Sequence, residues 1–359
     1  MSRLPFPVVD ADAHIIEGPD LYGRYLDPAF RDRAPRIVAD SAGVRRMHYE
    51  GRVVPPFPEG QRSSWRNWES PAERITLMDE EGIDKAFLFP SSATFFPFGT
   101  DAALAMALVR AYNDYLGDFC AKYPDRLYGV ALACLHDVPW AIAEARRAVR
   151  ELRLRAVMVR PNPLNGRRVD DPAYLPFYAA LEELAVPLIV HETTGCPDTA
   201  GADRYGIDRP DRYAFNHIIS HPFEQMLAVL ALIGGGVLER FPRLRVGFFE
   251  AGAGWLPYWL WRLDEHVESP HFRAQFGGLR MAPSEYFRRQ CFTTCEADET
   301  GLAATIAALG EDKVMFASDF PHFDSSRGVV EEFWKDQRLP DPLKRKLLGD
   351  NCIAFYGEL

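Results

Sequence analysis

The chain has 359 residues, of which 47% are hydrophobic, and its formal net charge is −10 at pH 7. This length suits either two ordinary domains or one large α/β barrel with insertions. The acidic balance argues against nucleic acid or an anionic membrane as a partner, and no stretch approaches the ~18 consecutive apolar residues of a transmembrane helix.

Eight apolar, β-branched runs alternate with amphipathic helical stretches along the chain. In chain order the predicted strands cover residues 8–15, 84–90, 127–134, 155–161, 186–192, 244–252, 290–295 and 313–319. Eight such strand–helix units favour a closed (β/α)₈ TIM barrel. The alternative, an open doubly wound sheet, usually carries a glycine-rich fingerprint after its first strand, and the sequence has none there. We therefore predict one domain over residues 1–359.

Several helices carry recognisable start and stop signals. Ser70 is a predicted N-cap, Pro71 fits the first helical position, and Gly82 predicts the end of the helix. The stretches 170–185 and 221–236 follow the same pattern. In the second of these, Pro222 fits the first turn, which predicts His221 as the N-cap.

Two long segments interrupt the regular alternation. Residues 17–69 are rich in Pro, Arg and Trp and include a predicted small hairpin at 43–54, whereas residues 193–216 form the longest predicted βα loop. Both follow the carboxyl ends of predicted strands, where active sites of barrels lie. We expect both segments to act as lids or pocket walls.

Polar residues occur where several of these strands end. Asp12 and His14 lie near the end of the first strand, His191 lies near the end of the fifth, Glu250 closes the apolar part of the sixth, and Asp319 ends the eighth. In a barrel these ends meet at one mouth, and buried carboxylates need a compensating positive charge. A divalent metal ion is the simplest such charge. Asp10, at the start of this polar series, is expected to support the site by hydrogen bonding rather than to bind metal.

The motifs "DADAHI", "PLIVHETTG", "VGFFEAGAG" and "VMFASDFPHFD" resemble the amidohydrolase-related family of TIM-barrel metal enzymes. That family includes decarboxylases of aminocarboxymuconate semialdehyde, γ-resorcylate and 5-carboxyvanillate. The resemblance covers nearly the whole chain and implies a metal-dependent hydrolase-type barrel. It also implies four metal ligands, which fall on Asp12, His14, His191 and Asp319.

The sequence departs from the family pattern at Glu250, where the decarboxylases have a catalytic histidine. His217 and His221, near the start of the fifth helix, are candidates to replace it, so the predicted catalytic residues are Asp319, Glu250, His221 and His217. His322 follows Asp319 on the last loop and is a candidate substrate-binding residue. Arg160 ends the fourth strand and either binds a substrate carboxylate or forms an ion pair inside the protein.

These features predict a metal-dependent decarboxylase or hydrolase that acts on a small carboxylate or aromatic acid. Two alternatives are a dinuclear iron or manganese oxygenase on the same barrel, and a non-catalytic metal-binding partner subunit. The predicted cofactor is one divalent ion of Zn, Mn or Fe, or two such ions. We further expect a homo-oligomer (a dimer) or an assembly with a homologue. The N-terminus leads directly into the first strand and the six cysteines are scattered, which predicts a cytoplasmic protein with reduced thiols.

Overall fold

The structure is a computed structural model that describes residues 4–18, 20–41, 43, 45–54, 70–193, 213–322, 325 and 327–357. Its strands, in chain order, are Val9–Ile15 (β1), Arg36–Ala39 (β2), Arg45–Tyr49 (β3), Arg52–Val54 (β4), Lys85–Pro90 (β5), Leu127–Leu132 (β6), Ala156–Val159 (β7), Leu188–His191 (β8), Val246–Phe249 (β9), Cys291–Cys295 (β10) and Val314–Phe316 (β11).

The helices of the described residues lie mainly between the strands. They are Pro71–Glu81 (α1), Ala102–Cys120 (α2), Val138–Arg150 (α3), Leu175–Leu184 (α4), Tyr213–Val229 (α5), Val237–Arg240 (α6), Leu256–Glu268 (α7), Pro283–Gln290 (α8), Leu302–Leu309 (α9), Val329–Lys335 (α10), Asp341–Arg345 (α11) and Asn351–Tyr356 (α12). Shorter helical turns include Ser92–Phe98, which follows β5. Among the described residues, no helix combines the length and the apolar character needed to cross a membrane.

β1 and the strands β5 to β11 form one eight-stranded parallel sheet in chain order. The first and last strands meet, because the Asp319 N–H donates to the Asp12 carbonyl at 3.0 Å and the His14 N–H donates to the Phe320 carbonyl at 2.5 Å. The sheet thus closes into the predicted (β/α)₈ barrel. Each barrel strand lies inside the range that the sequence predicted for it.

The C-terminal helix α12 packs against the barrel. The Tyr356 hydroxyl donates to the Ala11 carbonyl in β1 at 2.9 Å, and its ring stacks on Phe87 of β5. The Asn351 amide donates to the carbonyls of Glu311 and Val314, at 2.7 Å each. Because these bonds join both edges of the sheet to one helix, α12 helps to hold β1 and β11 together.

Local capping chemistry fixes α1 as predicted. Ser70 Oγ accepts the Glu73 N–H at 3.2 Å, and Gly82 ends the helix with φ 79°. A left-handed residue at this position is nearly always glycine, because a Cβ would clash. The cap and the stop signal were therefore readable from the sequence.

The predicted start of the helix around Pro222 is wrong. The described part of helix α5 spans Tyr213–Val229, so Pro222 lies inside the helix and His221 is not an N-cap. Proline costs an interior helix roughly 3 kcal/mol through its missing N–H. Tertiary packing on both sides of the proline holds the helix together: Tyr213, Ala228 and Val229 are buried, and the Gln225 amide donates to the carbonyls of Val190 and Phe249 at 2.9 Å each.

The predicted hairpin is present and extends into a small sheet. β3 pairs antiparallel with β4, as expected, and β2 adds a third strand on the other side of β3. The Tyr49 ring packs edge-on against Phe96 in the helical turn after β5. This contact joins the small sheet to a loop at the barrel mouth.

Parts of both predicted lids lie outside the described residues. The longest of these parts are 55–69 of the first segment and 194–212 of the second. The lid functions and the assignment of residues 1–359 to one domain stay predictions.

Candidate metal centre

Strand ends bring five polar side chains together at the barrel mouth. We call them the mouth cluster; they are Asp12, His14, His191, Glu250 and Asp319. His191 Nε2 lies 2.7 Å from Glu250 Oε2 and 3.4 Å from Asp12 Oδ2. His14 Nε2 lies 3.5 Å from Asp12 Oδ1 and 3.3 Å from Asp319 Oδ1. Ligand bonds of roughly 2.0–2.3 Å set donor atoms about 3 Å apart around an ion, which matches these separations.

Backbone carbonyls orient both histidines toward the centre of the cluster. His14 Nδ1 lies 2.9 Å from the Pro90 carbonyl, and His191 Nδ1 lies 2.8 Å from the Glu192 carbonyl. Each Nδ1 must carry hydrogen to make its bond, so in the neutral imidazole each Nε2 presents a lone pair to the carboxylates. Histidines that bind metals commonly have a hydrogen-bonded second nitrogen of this kind.

The donor atoms of the mouth cluster are arranged to bind a cation rather than to bond with one another. Within the described part of the chain, the buried atoms of the cluster without a hydrogen-bond partner include Asp12 Oδ1, His14 Nε2, His191 Nε2 and Glu250 Oε2. Lone pairs facing carboxylate oxygens across 2.7–3.6 Å repel each other unless a proton or a metal ion lies between them. Asp12, His14, His191 and Glu250 each offer one such atom within 4.8 Å of the others.

The electrostatics of the cluster also favour positive charge. Burial lowers the pKa of His191, but Glu250 and Asp12 outweigh that effect and hold the pKa well above its usual value. Burial likewise works against ionised Glu250, yet His191 and the other histidines keep the pKa of this carboxyl well below its usual range. Burial and His322 lower the pKa of His14, which leaves it neutral, as a ligand must be.

Glu250 and Asp319 reach the centre through an unusual backbone conformation. Their φ angles are 60° and 53°, in the left-handed region, where a residue with a side chain costs about 1–3 kcal/mol. His221 Nδ1 donates to the Glu250 carbonyl at 2.8 Å, and the Asp319 N–H is tied to β1. Both carboxylates are thus held in the mouth at the expense of local stability.

A pocket of about 190 Å³ opens beside the mouth cluster. His217 and His221 line one side of it, one helical turn apart on α5, and Thr294, Cys295 and Glu296 line another. No Lys or Arg is among the described residues of this lining. Burial lowers the pKa of His221 to about 4, although Glu250 opposes the shift.

His322 joins the cluster from the loop after β11. Its Nδ1 lies 2.7 Å from Asp319 Oδ1 and 3.7 Å from Glu250 Oε1. The ring lies against His14, with centroids 3.9 Å apart. His322, His14, Glu250 and Asp319 form a second possible donor group, which shares two members with the first.

Arg160 forms the internal ion pair that was one of its two predicted alternatives. Its Nη2 lies 3.2 Å from Glu192 Oε1 and donates to the Thr193 carbonyl at 2.7 Å, and both paired side chains are fully buried. It lines a separate cavity of about 20 Å³ rather than the pocket beside the mouth cluster. A role in substrate binding stays a prediction.

Asp10 bonds as a supporting residue. Its carboxylate accepts hydrogen bonds from the N–H and the hydroxyl of Ser318 and from the Asp12 N–H. Burial raises its pKa to about 7 against these bonds.

Sequence reasoning missed three acids and a serine around the mouth. Glu192 pairs with Arg160, Glu299 accepts the Ala253 N–H at 2.7 Å, and Glu17 binds the loop that carries Ser91. Glu192 is the last residue of a predicted strand and Glu17 lies two residues beyond another, and these positions could have marked them. Ser91 gave no such signal.

Comparisons with known proteins identify the family of this chain. A family model described as Amidohydrolase matches residues 9–357. The chain is 26% identical over 293 residues to 2-amino-3-carboxymuconate-6-semialdehyde decarboxylase of Dictyostelium discoideum, covering 81% of this chain and 77% of that protein. It is 29% identical over 299 residues to gamma-resorcylate decarboxylase of Rhodococcus jostii (strain RHA1), covering 80% and 87%.

Among solved structures, 5-carboxyvanillate decarboxylase of Novosphingobium aromaticivorans DSM 12444 with bound manganese has a TM-score of 0.74 at 23% identity. The alignment covers 98% of this chain and 97% of that one. The comparisons confirm the predicted enzyme class, a carboxy-lyase type, and they do not favour the alternative oxygenase. Since the family model spans nearly the whole chain and the barrel carries its site at the expected strand ends, this chain belongs to the amidohydrolase family.

Proposed function

We propose that this chain is a metal-dependent decarboxylase of a small aromatic carboxylic acid. The observation that carries the proposal is the mouth cluster, whose buried carboxylates and lone pairs converge beside a pocket of about 190 Å³. A cavity of roughly 150 Å³ binds benzene, so this volume suits a single six-membered ring. Three relatives named above are decarboxylases.

The reaction exchanges a carboxylate for a proton. The bond from the ring carbon to the carboxyl carbon breaks, CO₂ leaves, and the electron pair stays on the ring carbon, which takes a proton. We propose that Asp12, His14, His191 and Asp319 hold the ion and that Glu250 is a further ligand or a base. When bound, the ion would polarise a substrate oxygen or lower the pKa of a water molecule.

One ion per chain is the proposed number. Both possible donor groups include His14, and its Nδ1 is taken by the Pro90 carbonyl. The remaining nitrogen has one lone pair and binds one ion. Mn²⁺ is the first ion to test, because the donor set is rich in carboxylate and the similar decarboxylase structure contains manganese; Zn²⁺ and Fe²⁺ are the others.

Proton transfer is assigned to the side chains around the ion. Asp319, with His322 Nδ1 at 2.7 Å, would deliver the proton to the ring carbon. Glu250 with His221 or His217 would form the second acid–base pair. The low pKa of His221 keeps its ring neutral near pH 7, so it does not act as a cationic acid there. Substrate binding by His322, as the sequence predicted, stays a prediction.

The test is a decarboxylation screen on metal-exchanged protein. The purified chain is stripped with a chelator, reloaded with Mn²⁺, Zn²⁺ or Fe²⁺, and offered a panel of hydroxybenzoates while CO₂ release and O₂ uptake are followed. We expect CO₂ release that requires metal and consumes no O₂. O₂ uptake without CO₂ would instead support the oxygenase, and metal binding without turnover of any acid would support a non-catalytic subunit.

Replacement of Glu250 by Gln tests its assigned role. The amide keeps the size of the side chain but removes its charge, so we expect kcat to fall about a hundredfold, within the range of acid–base catalysis. Glu296→Gln is the matched control, since Glu296 lines the same pocket and belongs to neither possible donor group. Equal losses in the two variants would contradict a special role for Glu250.

We also propose a cytoplasmic homodimer. Exposed apolar side chains on α5 (Ile218, Phe223, Leu227) and α7 (Tyr258, Trp261) support self-association. The five described cysteines are free thiols, in keeping with a reducing compartment. Light scattering across a dilution series measures the first point, and Ile218→Glu should shift the equilibrium toward monomer; co-purification of a homologue would indicate the predicted mixed assembly instead.

A further inference from the structure

The loop after β5 is anchored by the half-buried carboxylate of Glu17, which lies two residues after β1. Glu17 accepts three consecutive backbone N–H groups, from Ser91 at 2.9 Å, Ser92 at 2.9 Å and Ala93 at 3.0 Å. Both carboxylate oxygens take part. A side chain that satisfies three donors of one loop fixes the position of that loop.

This anchoring brings Ser91 to the site. Ser91 Oγ lies 3.2 Å from His322 Nε2, while the other ring nitrogen, Nδ1, lies 2.7 Å from Asp319 Oδ1. The His322 ring also lies against His14, with centroids 3.9 Å apart. The ring is therefore held on one face by a proposed metal ligand and at both of its nitrogens by polar partners.

The two nitrogen contacts have a preferred hydrogen arrangement. A neutral imidazole has one N–H and one lone pair. The Asp319 carboxylate accepts hydrogen bonds, so it favours the hydrogen on Nδ1, and the Ser91 hydroxyl can then donate to the lone pair on Nε2. The hydroxyl is able to rotate into that position, whereas the carboxylate cannot become a donor while it is ionised.

We propose that Ser91 is a positioning residue that holds His322 as the Nδ1–H tautomer, so that His322 donates to Asp319. Glu17 acts one step further away, by fixing the loop that carries Ser91. The inference rests on the proposed role of Asp319 in proton transfer. The arrangement of Asp319, His322 and Ser91 is thus that of a catalytic group whose histidine partner is oriented by a third residue.

Two variants of Ser91 separate the hydroxyl from the shape of the side chain. Ser91→Ala removes the hydrogen bond, and a neutral bond of this kind is worth about a factor of ten at most, so we expect kcat to fall roughly five- to tenfold. KM and metal content should be unchanged. Ser91→Thr keeps a hydroxyl and should restore most of kcat.

The tautomer is read directly by NMR of protein labelled with ¹⁵N-histidine, both metal-free and loaded with diamagnetic Zn²⁺. His322→Asn identifies the signals of His322. We expect the wild-type protein and Ser91→Thr to show the Nδ1–H form, and Ser91→Ala to show a mixture of the two tautomers. Unchanged His322 signals in Ser91→Ala would overturn the inference.

Glu17→Gln supplies an independent check. The amide NH₂ of glutamine cannot accept a hydrogen bond, so at least one of the three bonds that anchor the loop is lost. If Glu17 acts through Ser91, the change should lower kcat in the wild-type background and have little further effect in Ser91→Ala. Full additivity of the two losses would overturn this step. Absence of decarboxylation in the wild-type protein would defeat the proposed function alone, since the NMR result tests Ser91 without any turnover.

Discussion

Two buried polar clusters lie side by side at the barrel mouth and differ in how their charge is balanced. The mouth cluster combines three carboxylates with histidines, and no Lys or Arg is among the described residues lining the pocket beside it. The neighbouring pair, which we call the arginine cluster, joins Arg160 to Glu192 with a supporting contact from Asn162. The two are adjacent because the residue before Arg160 pairs with Val190, the residue before His191.

The arginine cluster compensates its charge from within the protein. The rings of Phe95 and Phe98 lie 5.4 Å and 5.0 Å from the Arg160 guanidinium, at distances of cation–π contacts. Burial raises the pKa of Glu192 to about 8, even though Arg160 lowers it. The difference teaches that a buried acid next to arginine can serve structure, whereas buried acids grouped around histidine nitrogens form a site suited to a cation.

The largest expected effect comes from breaking the mouth cluster at His191. His191→Ala removes a nitrogen donor and should lower metal affinity by more than a hundredfold, since loss of a mere supporting residue already costs 10–100-fold. Activity should be lost with the metal. Metal content per chain after dialysis, measured by mass spectrometry, checks the prediction. His271→Ala is the control, because His271 is exposed; retention of full metal and activity in His191→Ala would disprove the site.

Breaking the arginine cluster should affect stability rather than metal. Arg160→Met leaves Glu192 buried without its partner, and we expect the free energy of unfolding to fall by about 3 kcal/mol while metal content is retained. Chemical denaturation measures the loss. The double variant Arg160→Met/Glu192→Gln should recover most of it.

The matched control for this pair is Arg168→Met. Arg168 forms an ion pair with Asp170 on the surface, with 72% of its side chain exposed, and such pairs contribute under about 1 kcal/mol. A loss of metal in Arg160→Met, with stability unchanged, would move Arg160 from the structural cluster into the substrate or metal site.

The smallest expected effect comes from Asp10, a buried acid that belongs to neither cluster. Its pKa is raised from 3.8 to about 7 in the fold, so the folded protein binds the proton more tightly than the unfolded chain does. The free energy of unfolding therefore falls as pH rises from about 4 to 7. Asp10→Asn cannot titrate, and we expect this part of the pH dependence to disappear.

At pH 8 we expect the free energy of unfolding of Asp10→Asn to exceed that of the wild type by about 1 kcal/mol. The variant has no buried charge at this position, and this gain outweighs the loss of a charge-assisted hydrogen bond from Ser318. Thermal unfolding across pH 5–8 in both proteins makes the measurement. An unchanged slope in the variant would show that Asp10 does not cause the pH dependence.

Local patterns in the chain were sufficient for the barrel and for the cap of α1. Strand runs, Ser70 and Gly82 act over a few residues, so their effect needs no distant partner. The strand-end residues Asp12, His14, His191, Glu250 and Asp319 were likewise predictable, because the barrel topology brings all carboxyl ends of parallel strands to one mouth.

Contacts between distant parts of the chain decided the rest. The choice between ion pair and substrate ligand at Arg160 depended on Glu192, and the helix start near Pro222 depended on burial along all of α5. Ser91 and His322 are 231 residues apart. Their contact depends on Glu17, which follows β1 and holds the loop that carries Ser91. Residue types and spacing specify which groups a strand end presents, whereas hydrogen-bond and charge partners arise from packing that no short stretch of sequence contains.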